Sequence, residues 1–184
     1  MTRLIFLGAP GAGKGTQAAV LAKSHDIPHI STGDILRQAV ADRSPLGLLA
    51  KSYMDQGELV PDSLIMGLIK DRLGQADAQN GWILDGFPRN LSQAQALNDL
   101  LQEMQQNYDQ VIYFEVSPDT LITRMLERGR KDDNEATVRR RLEVYQEQTV
   151  PLIKFYRDIN SLRVIDGNDN VATVANSLEQ LLVA

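Results

Sequence analysis

Residues 8–16 read Gly8-Ala9-Pro10-Gly11-Ala12-Gly13-Lys14-Gly15-Thr16, and the chemistry open to such a stretch is the wrapping of phosphate. Glycines let backbone N–H groups approach oxygen where a Cβ would collide. Successive amides at a helix start add positive potential for an anion. Lys14 can reach outer phosphates, and Thr16 can offer its hydroxyl to a metal or a phosphate oxygen. The four glycines, Pro10, Lys14 and Thr16 would coincide by chance at roughly 10⁻⁸ per position from average usage. A purely structural glycine turn is therefore a poor account.

Two further sets could act on a phosphate. Ile83-Leu84-Asp85-Gly86-Phe87-Pro88-Arg89 places an acid at the end of an apolar run. A strand ending there would set Asp85 at the carboxyl edge of a sheet, where open α/β folds bind ligands. Asp85 could organise a magnesium shell through water, or it could be an ordinary strand-terminal cap. Gly86 and Pro88 shape a turn that would present Arg89 to a second anion. The third set is Arg124, Arg128, Arg130 and Arg141. Positions 124 and 128 share a helix face, and Gly129 is placed to stop that helix. Arginines on helices are usually solvated, and Arg139 and Arg140 read as that ordinary case. Next to a phosphate loop the other four gain meaning, because planar guanidinium forks suit the spread charge of a transferring phosphoryl group.

These residues need a sheet edge to gather them, and the pattern supplies one. Apolar runs at 4–7, 27–31, 82–85, 111–116 and 162–165 alternate with amphipathic stretches at 17–23, 35–40, 45–56, 63–73, 91–106, 119–128 and 171–182. Strands alternating with helices predict a parallel sheet covered on both faces. Asp62 is placed to cap the helix over 63–73. A long helix is expected from about 134 to 159, kinked at Pro151, with Asp132 and Asp133 either capping it or fixing the lid arginines. His25 and His29 flank the second strand without a partner that suggests catalysis. Trp82 reads as core, and Asp42 and Glu103 as polar surface.

At 184 residues the chain suits one domain. Its net charge of −5 argues against nucleic acid or an anionic membrane as partner, and makes a local arginine cluster stand out. No cysteine is present, which removes thiol catalysis, disulfides and cysteine-held zinc. The first residues lead straight into a strand without a signal-like segment, and no apolar run approaches membrane-spanning length. A cytoplasmic setting and a monomer are the expectation.

The motifs resemble those of the adenylate kinase family. The phosphate loop, Ser31-Thr32-Gly33-Asp34-Ile35-Leu36-Arg37, Gly57-Glu58-Leu59-Val60-Pro61-Asp62, Asp85-Gly86-Phe87-Pro88-Arg89, Gln93 and Asp132-Asp133-Asn134 stand in the family's order. The resemblance implies a three-layer α/β P-loop NTPase fold with a five-stranded parallel sheet. It divides the chain into a core (1–30, 61–127 and 135–184), a helical monophosphate-binding flap (31–60) and a short lid (128–134). It implies ATP + AMP ⇌ 2 ADP with Mg²⁺, an activity that maintains adenine nucleotide balance. Gly11, Ala12, Gly13, Lys14, Gly15, Thr16 and Arg128 would hold ATP, with a backbone contact from Asp169 to its base. Thr32, Gly33, Arg37, Glu58, Leu59, Val60, Gly86, Phe87, Pro88 and Arg89 would line the AMP pocket, and Gln93 would read the adenine edge. Arg130 and Arg141 would clamp the phosphates between the nucleotides, with Arg124 in the same cluster. The lid is too short for the β-rich, sometimes zinc-holding flap of longer relatives, so no zinc is expected. A UMP/CMP or other monophosphate kinase is the neighbouring reading, to which Asn90 gives slight support. A nucleotide-binding switch is a third reading, but the base-reading Asn-Lys-x-Asp of small GTPases does not occur.

Overall fold

Along β1 (Thr2–Gly8) successive side chains enter opposite cores: Leu4 and Phe6 pack on one face, Ile5 and Leu7 on the other. A strand buried on both faces belongs in the middle of a covered parallel sheet. In the computed structural model, which describes residues 1–130 and 133–183, β1 holds that place. The other strands are β2 (His29–Ser31), β3 (Gly81–Asp85), β4 (Gln110–Glu115) and β5 (Leu162–Asp166). All pairings are parallel, in the order β2-β3-β1-β4-β5. The register aligns Ser31 with Asp85, Phe6 with Asp85, and Glu115 with Asp166. The carboxyl ends of all five strands therefore share one edge.

Nine α-helices lie among the described residues: α1 (Lys14–His25), α2 (Thr32–Ala41), α3 (Pro45–Gln56), α4 (Asp62–Leu73), α5 (Leu91–Glu103), α6 (Pro118–Arg128), α7 (Glu135–Val144), α8 (Pro151–Asp158) and α9 (Val171–Val183). Buried side chains of α1, α6 and α9 share a core with Leu4, Phe6 and Ile83. Those of α4, α5 and α8 share the other with Ile5, Leu7, Trp82 and Leu84. This is the expected α/β three-layer architecture. Trp82 is fully buried, and its indole N–H donates to Gln106 Oε1 at 3.1 Å. None of the described helices is long and apolar enough to cross a membrane.

The structure departs from the sequence expectations in three places. The long helix over 134–159 is two helices joined by one π-helical turn, Tyr145–Thr149, in which Val150 N–H donates to Tyr145 O. Pro151 has no N–H to continue an α ladder, and it sits in the first turn of α8, directly after that π turn. Asn134, not Asp133, caps α7, its Oδ1 accepting from Thr137 N–H at 3.0 Å; Lys131 and Asp132 lie outside the described residues. Asp62 does not cap α4, which starts on Asp62 itself after Pro61 with no side-chain cap. Its carboxylate is engaged elsewhere.

Helices α2 and α3 form a pair whose closeness depends on Gly47. A Cβ built there would lie 2.0 Å from Ala39 O. No rotamer relieves a clash with backbone, so the helices must separate. Gly47→Ala is expected to destabilise this pair by about 1–3 kcal/mol, read as a lowered midpoint in urea denaturation.

Candidate active site

The glycine loop joins β1 to α1, and its backbone requires glycine at two points. Gly11 has φ +85° and would place a Cβ 2.8 Å from Leu121 O; Gly13 has φ +90° where the helix begins. Gly13 brings no side-chain cap, so the first-turn amides of α1 remain free to meet an anion. Lys14 folds back over the loop, Nζ donating to Gly8 O at 2.8 Å and Ala9 O at 3.0 Å. Burial lowers its pKa to about 8, with Asp85 opposing the shift and Arg89 and Arg128 adding to it.

Asp85 ends β3, as the sequence suggests, and is buried. Burial pushes its carboxyl up, but a hydrogen bond from His29 and the charges of Lys14 and Arg89 outweigh it. The net result lies below the ordinary value. A Cβ on Gly15 would meet Asp85 Oδ2 at 3.5 Å, an ordinary contact distance, so the first turn of α1 stands against the carboxylate. Thr16, one position further on, is exposed in the same cleft.

Across the cleft Ser31 caps α2, accepting from Asp34 N–H at 3.2 Å. Thr32 Oγ1 donates to Gly86 O at 2.9 Å, fixing the turn after β3. Arg89 donates from Nε to Gly86 O at 2.7 Å, while its backbone carbonyl accepts from Thr149 Oγ1 at 2.7 Å. Burial, with Arg141 and Arg37 nearby, lowers its pKa against the pull of Asp85. Gln93 is buried, accepts Arg89 N–H on Oε1 and donates from Nε2 to Asp62 Oδ1, both at 2.7 Å. Asn90 caps α5, its Oδ1 accepting Gln93 N–H at 2.8 Å. That bond gives Asn90 a structural task.

The arginines are held by acids and by backbone. Arg128 forks onto Asp133 at 2.8 and 2.9 Å, and Arg141 Nη1 reaches the same carboxylate at 2.9 Å. Arg37 is bonded to Asp34, and Arg130 stands 3.8 Å from that carboxylate. Burial and the neighbouring Arg37 and Arg128 lower the pKa of Arg130. Arg124 behaves differently: it donates to Gly167 O at 2.8 Å and Asn168 O at 3.1 Å, bracing the loop that carries Asp169.

All the residues nominated from sequence line one cleft of about 910 Å³, near the upper end of ligand-site volumes. These are the 11–16 loop, Asp85, the six arginines and Lys14, Asp169, the Thr32–Gly33 and 58–60 segments, 86–88 and Gln93.

Two side chains set aside as ordinary are not. His29 has a partner, its Nε2 lying 3.2 Å from Asp85 Oδ2, which only the β2–β3 pairing could reveal. Arg140 is no free surface residue: its Nε donates to Glu58 Oε1 at 2.6 Å, joining α7 to the segment after α3. His25 ties α1 to α9 through Glu179, and Arg139 pairs with Glu135 on its own helix, both as surface residues do. Leu36 adds an apolar side chain to the cleft lining, joined by Met54 and Ile65, which lie outside the motifs.

Comparison with known proteins gives this cleft its context. The family model described as Adenylate kinase matches residues 6–161. The chain is 54% identical over 182 residues to Adenylate kinase 1 of Nostoc sp., covering 99% of each. It is 56% identical over 179 residues to Adenylate kinase 1 of Synechocystis sp., covering 97% of this chain and 96% of the relative. An Adenylate kinase of Leptospira biflexa is 48% identical over 182 residues, covering 97% and 98%. With a glycine-loop cleft, a parallel-sheet edge and relatives matched from end to end, the chain belongs to the adenylate kinase family.

Proposed function

We propose that this chain is an ATP:AMP phosphotransferase, catalysing ATP + AMP ⇌ 2 ADP, with the cleft divided between its two nucleotides. The observation that supports this division is that the glycine loop with Lys14, the 32–37, 58–60 and 86–89 segments, and Arg128, Arg130 and Arg141 all line one cleft. The glycine loop, Lys14 and Arg128 take the ATP phosphates, and the loop braced by Arg124 takes the ATP base at Asp169. Thr32, Gly33, Arg37, 58–60, 86–88, Arg89 and Gln93 take AMP. Arg130 and Arg141 stand where the phosphates meet.

No protein nucleophile is required. An oxygen of the AMP phosphate attacks the γ-phosphorus in line, the new O–P bond forms as the bond to the β-phosphate oxygen breaks, and ADP leaves on each side. Lys14 and the arginines stabilise the spread charge, and alignment supplies much of the remainder. Asp85 suits a Mg²⁺ shell held through water: it is an oxygen donor kept below its ordinary pKa, lining the cleft beside the first turn of α1. No group of three or more metal-ligating side chains stands among the described residues, which fits an ion that keeps waters and uses substrate phosphates. Thr16 is the second protein oxygen within that wall. Held there by Asp85 through water and by Thr16, Mg²⁺ would supply neutralisation of phosphate charge. Residues 31–60 act as a flap over AMP and 128–134 as a short lid, keeping water from the reactive phosphoryl group. A monomeric, cytoplasmic enzyme is the setting this reading favours, and the acidic net charge fits small nucleotides rather than nucleic acid as partners.

In coupled assays with AMP, UMP, CMP and GMP as acceptors, AMP is expected to give the highest kcat/KM; UMP outrunning AMP would overturn the assignment. Lys14→Met is expected to lower turnover on the order of 10²- to 10⁵-fold, and near-normal turnover would contradict its role. The depressed pKa of Lys14 adds a pH dependence. Its charged form binds phosphate, so bound ATP raises its pKa above the free value of about 8. Below that pH the group is already protonated and affinity is flat. Above it, binding must take up a proton, and affinity falls by up to about tenfold per pH unit. Titration of a non-hydrolysable ATP analogue from pH 7 to 9.5 should show this decline, and the Lys14→Met protein should lose it.

A further inference from the structure

Asp62 stands behind the cleft wall, on the first turn of α4, and is bonded to two amides of another element. Its Oδ1 accepts from Gln93 Nε2 at 2.7 Å and from Asn90 Nδ2 at 3.3 Å. Gln93 lines the cleft; Asp62 does not. A side-chain amide can ordinarily turn by 180° and exchange donor for acceptor. Here it cannot turn without loss at both ends. An ionised carboxylate only accepts, so it selects the NH₂ end of Gln93. A backbone N–H only donates, and that of Arg89 selects the oxygen end at 2.7 Å. Each contact uses half of the capacity at its own end of the amide. One N–H of Nε2 and one lone pair of Oε1 are left over, in a fixed order.

We propose that Asp62 is a specificity-determining positioning residue: by locking the Gln93 amide it makes the AMP site accept adenine and reject the oxo-purine of the same shape. The inference rests on the reading that Gln93 faces the base of the acceptor nucleotide. Adenine presents an acceptor at N1 beside a donor at the 6-amino group, complementary to the leftover N–H and lone pair. Hypoxanthine presents a donor at N1 beside an acceptor at O6, and against a fixed amide both contacts become repulsive. A free amide would turn and bind either base. A site whose polar groups are held for one pattern discriminates far more strongly than an apolar pocket of the same shape. Asn90, sharing the carboxylate while capping α5 on Gln93 N–H, keeps Asp62 and the amide in one frame.

The test compares AMP with inosine monophosphate as acceptor. Asp62→Ala leaves Gln93 Nε2 to water, which donates as readily as it accepts, so only the Arg89 tether remains. The ratio of kcat/KM for AMP over inosine monophosphate is expected to fall at least tenfold, with the KM for ATP within twofold of the parent. Asp62→Asn, whose carbonyl can still accept from Nε2, is expected to recover most of the ratio. If the alanine protein folds poorly by thermal denaturation, Asp62→Ser makes the same test. A ratio unchanged within threefold would overturn the proposal, as would a parallel rise in the KM for ATP, which marks general damage. Gln93→Leu separates this from the underlying reading. If it abolishes discrimination while Asp62→Ala does not, Gln93 reads the base unaided; if neither variant matters, the base is read elsewhere.

Discussion

Mutual repulsion among positive side chains is the constraint around which this structure is arranged. Lys14, Arg37, Arg89, Arg124, Arg128, Arg130 and Arg141 all line one cleft, in a chain whose net charge is −5. Lys14, Arg89 and Arg130 each hold their protons less tightly than usual, first because they are buried and then because other cations face them. Groups that would rather separate stay together because each is tied to a rigid element. Lys14 opens α1, Arg89 follows β3, Arg128 ends α6, and Arg141 lies on α7. The parallel sheet makes this possible, since all five strands deliver their chain ends to one edge. In the proposed reaction, nucleotide phosphates would relieve this repulsion, and the strain of the free cleft would become part of the binding energy.

The parts of this arrangement that the sequence makes legible are those whose chemistry is local. The glycine loop is readable because its residues are contiguous and its φ angles admit little else at Gly11 and Gly13. The strands are readable because apolar runs of four to six residues end at turn signals, and Gly129 stops α6 with φ +63°. Positions farther apart become readable together only through the family's motif order, which is what assembles Thr32, Arg89 and Arg141 on one list before any coordinates exist.

What escapes the sequence has a common cause: each missed role is a contact between segments far apart in the chain. Asp62 has the position and chemistry of a helix cap, and only the packing of α4 beside α5 redirects it to Gln93, 31 residues on. His29 opens an edge strand and finds Asp85 across 56 residues. Arg140 follows Arg139 and shares its chemistry, yet a 100° step around the helix separates a solvated side chain from one that anchors Glu58. Pro151 misleads in another way. Its effect on the ladder is foreseeable, but not the form it takes, a π turn that widens the helix before a fresh start.

The acids that hold the cleft's arginines complete the physical picture. Asp133 receives the fork of Arg128 and a bond from Arg141, and Asp34 receives Arg37 with Arg130 nearby. A carboxylate offers two oxygens to a guanidinium plane, as a phosphate does. Such an acid therefore keeps each fork extended and oriented while no substrate is near, and it limits the entropy that must be lost when one arrives. In the proposed reaction an incoming phosphoryl group competes for guanidinium edges that already face an anion. Binding then exchanges or shares a partner instead of desolvating a bare cation, which is the costlier step in a buried site. The same exchange explains why lysine would serve poorly at these positions: its rotating ammonium has no plane to hand from one anion to the next.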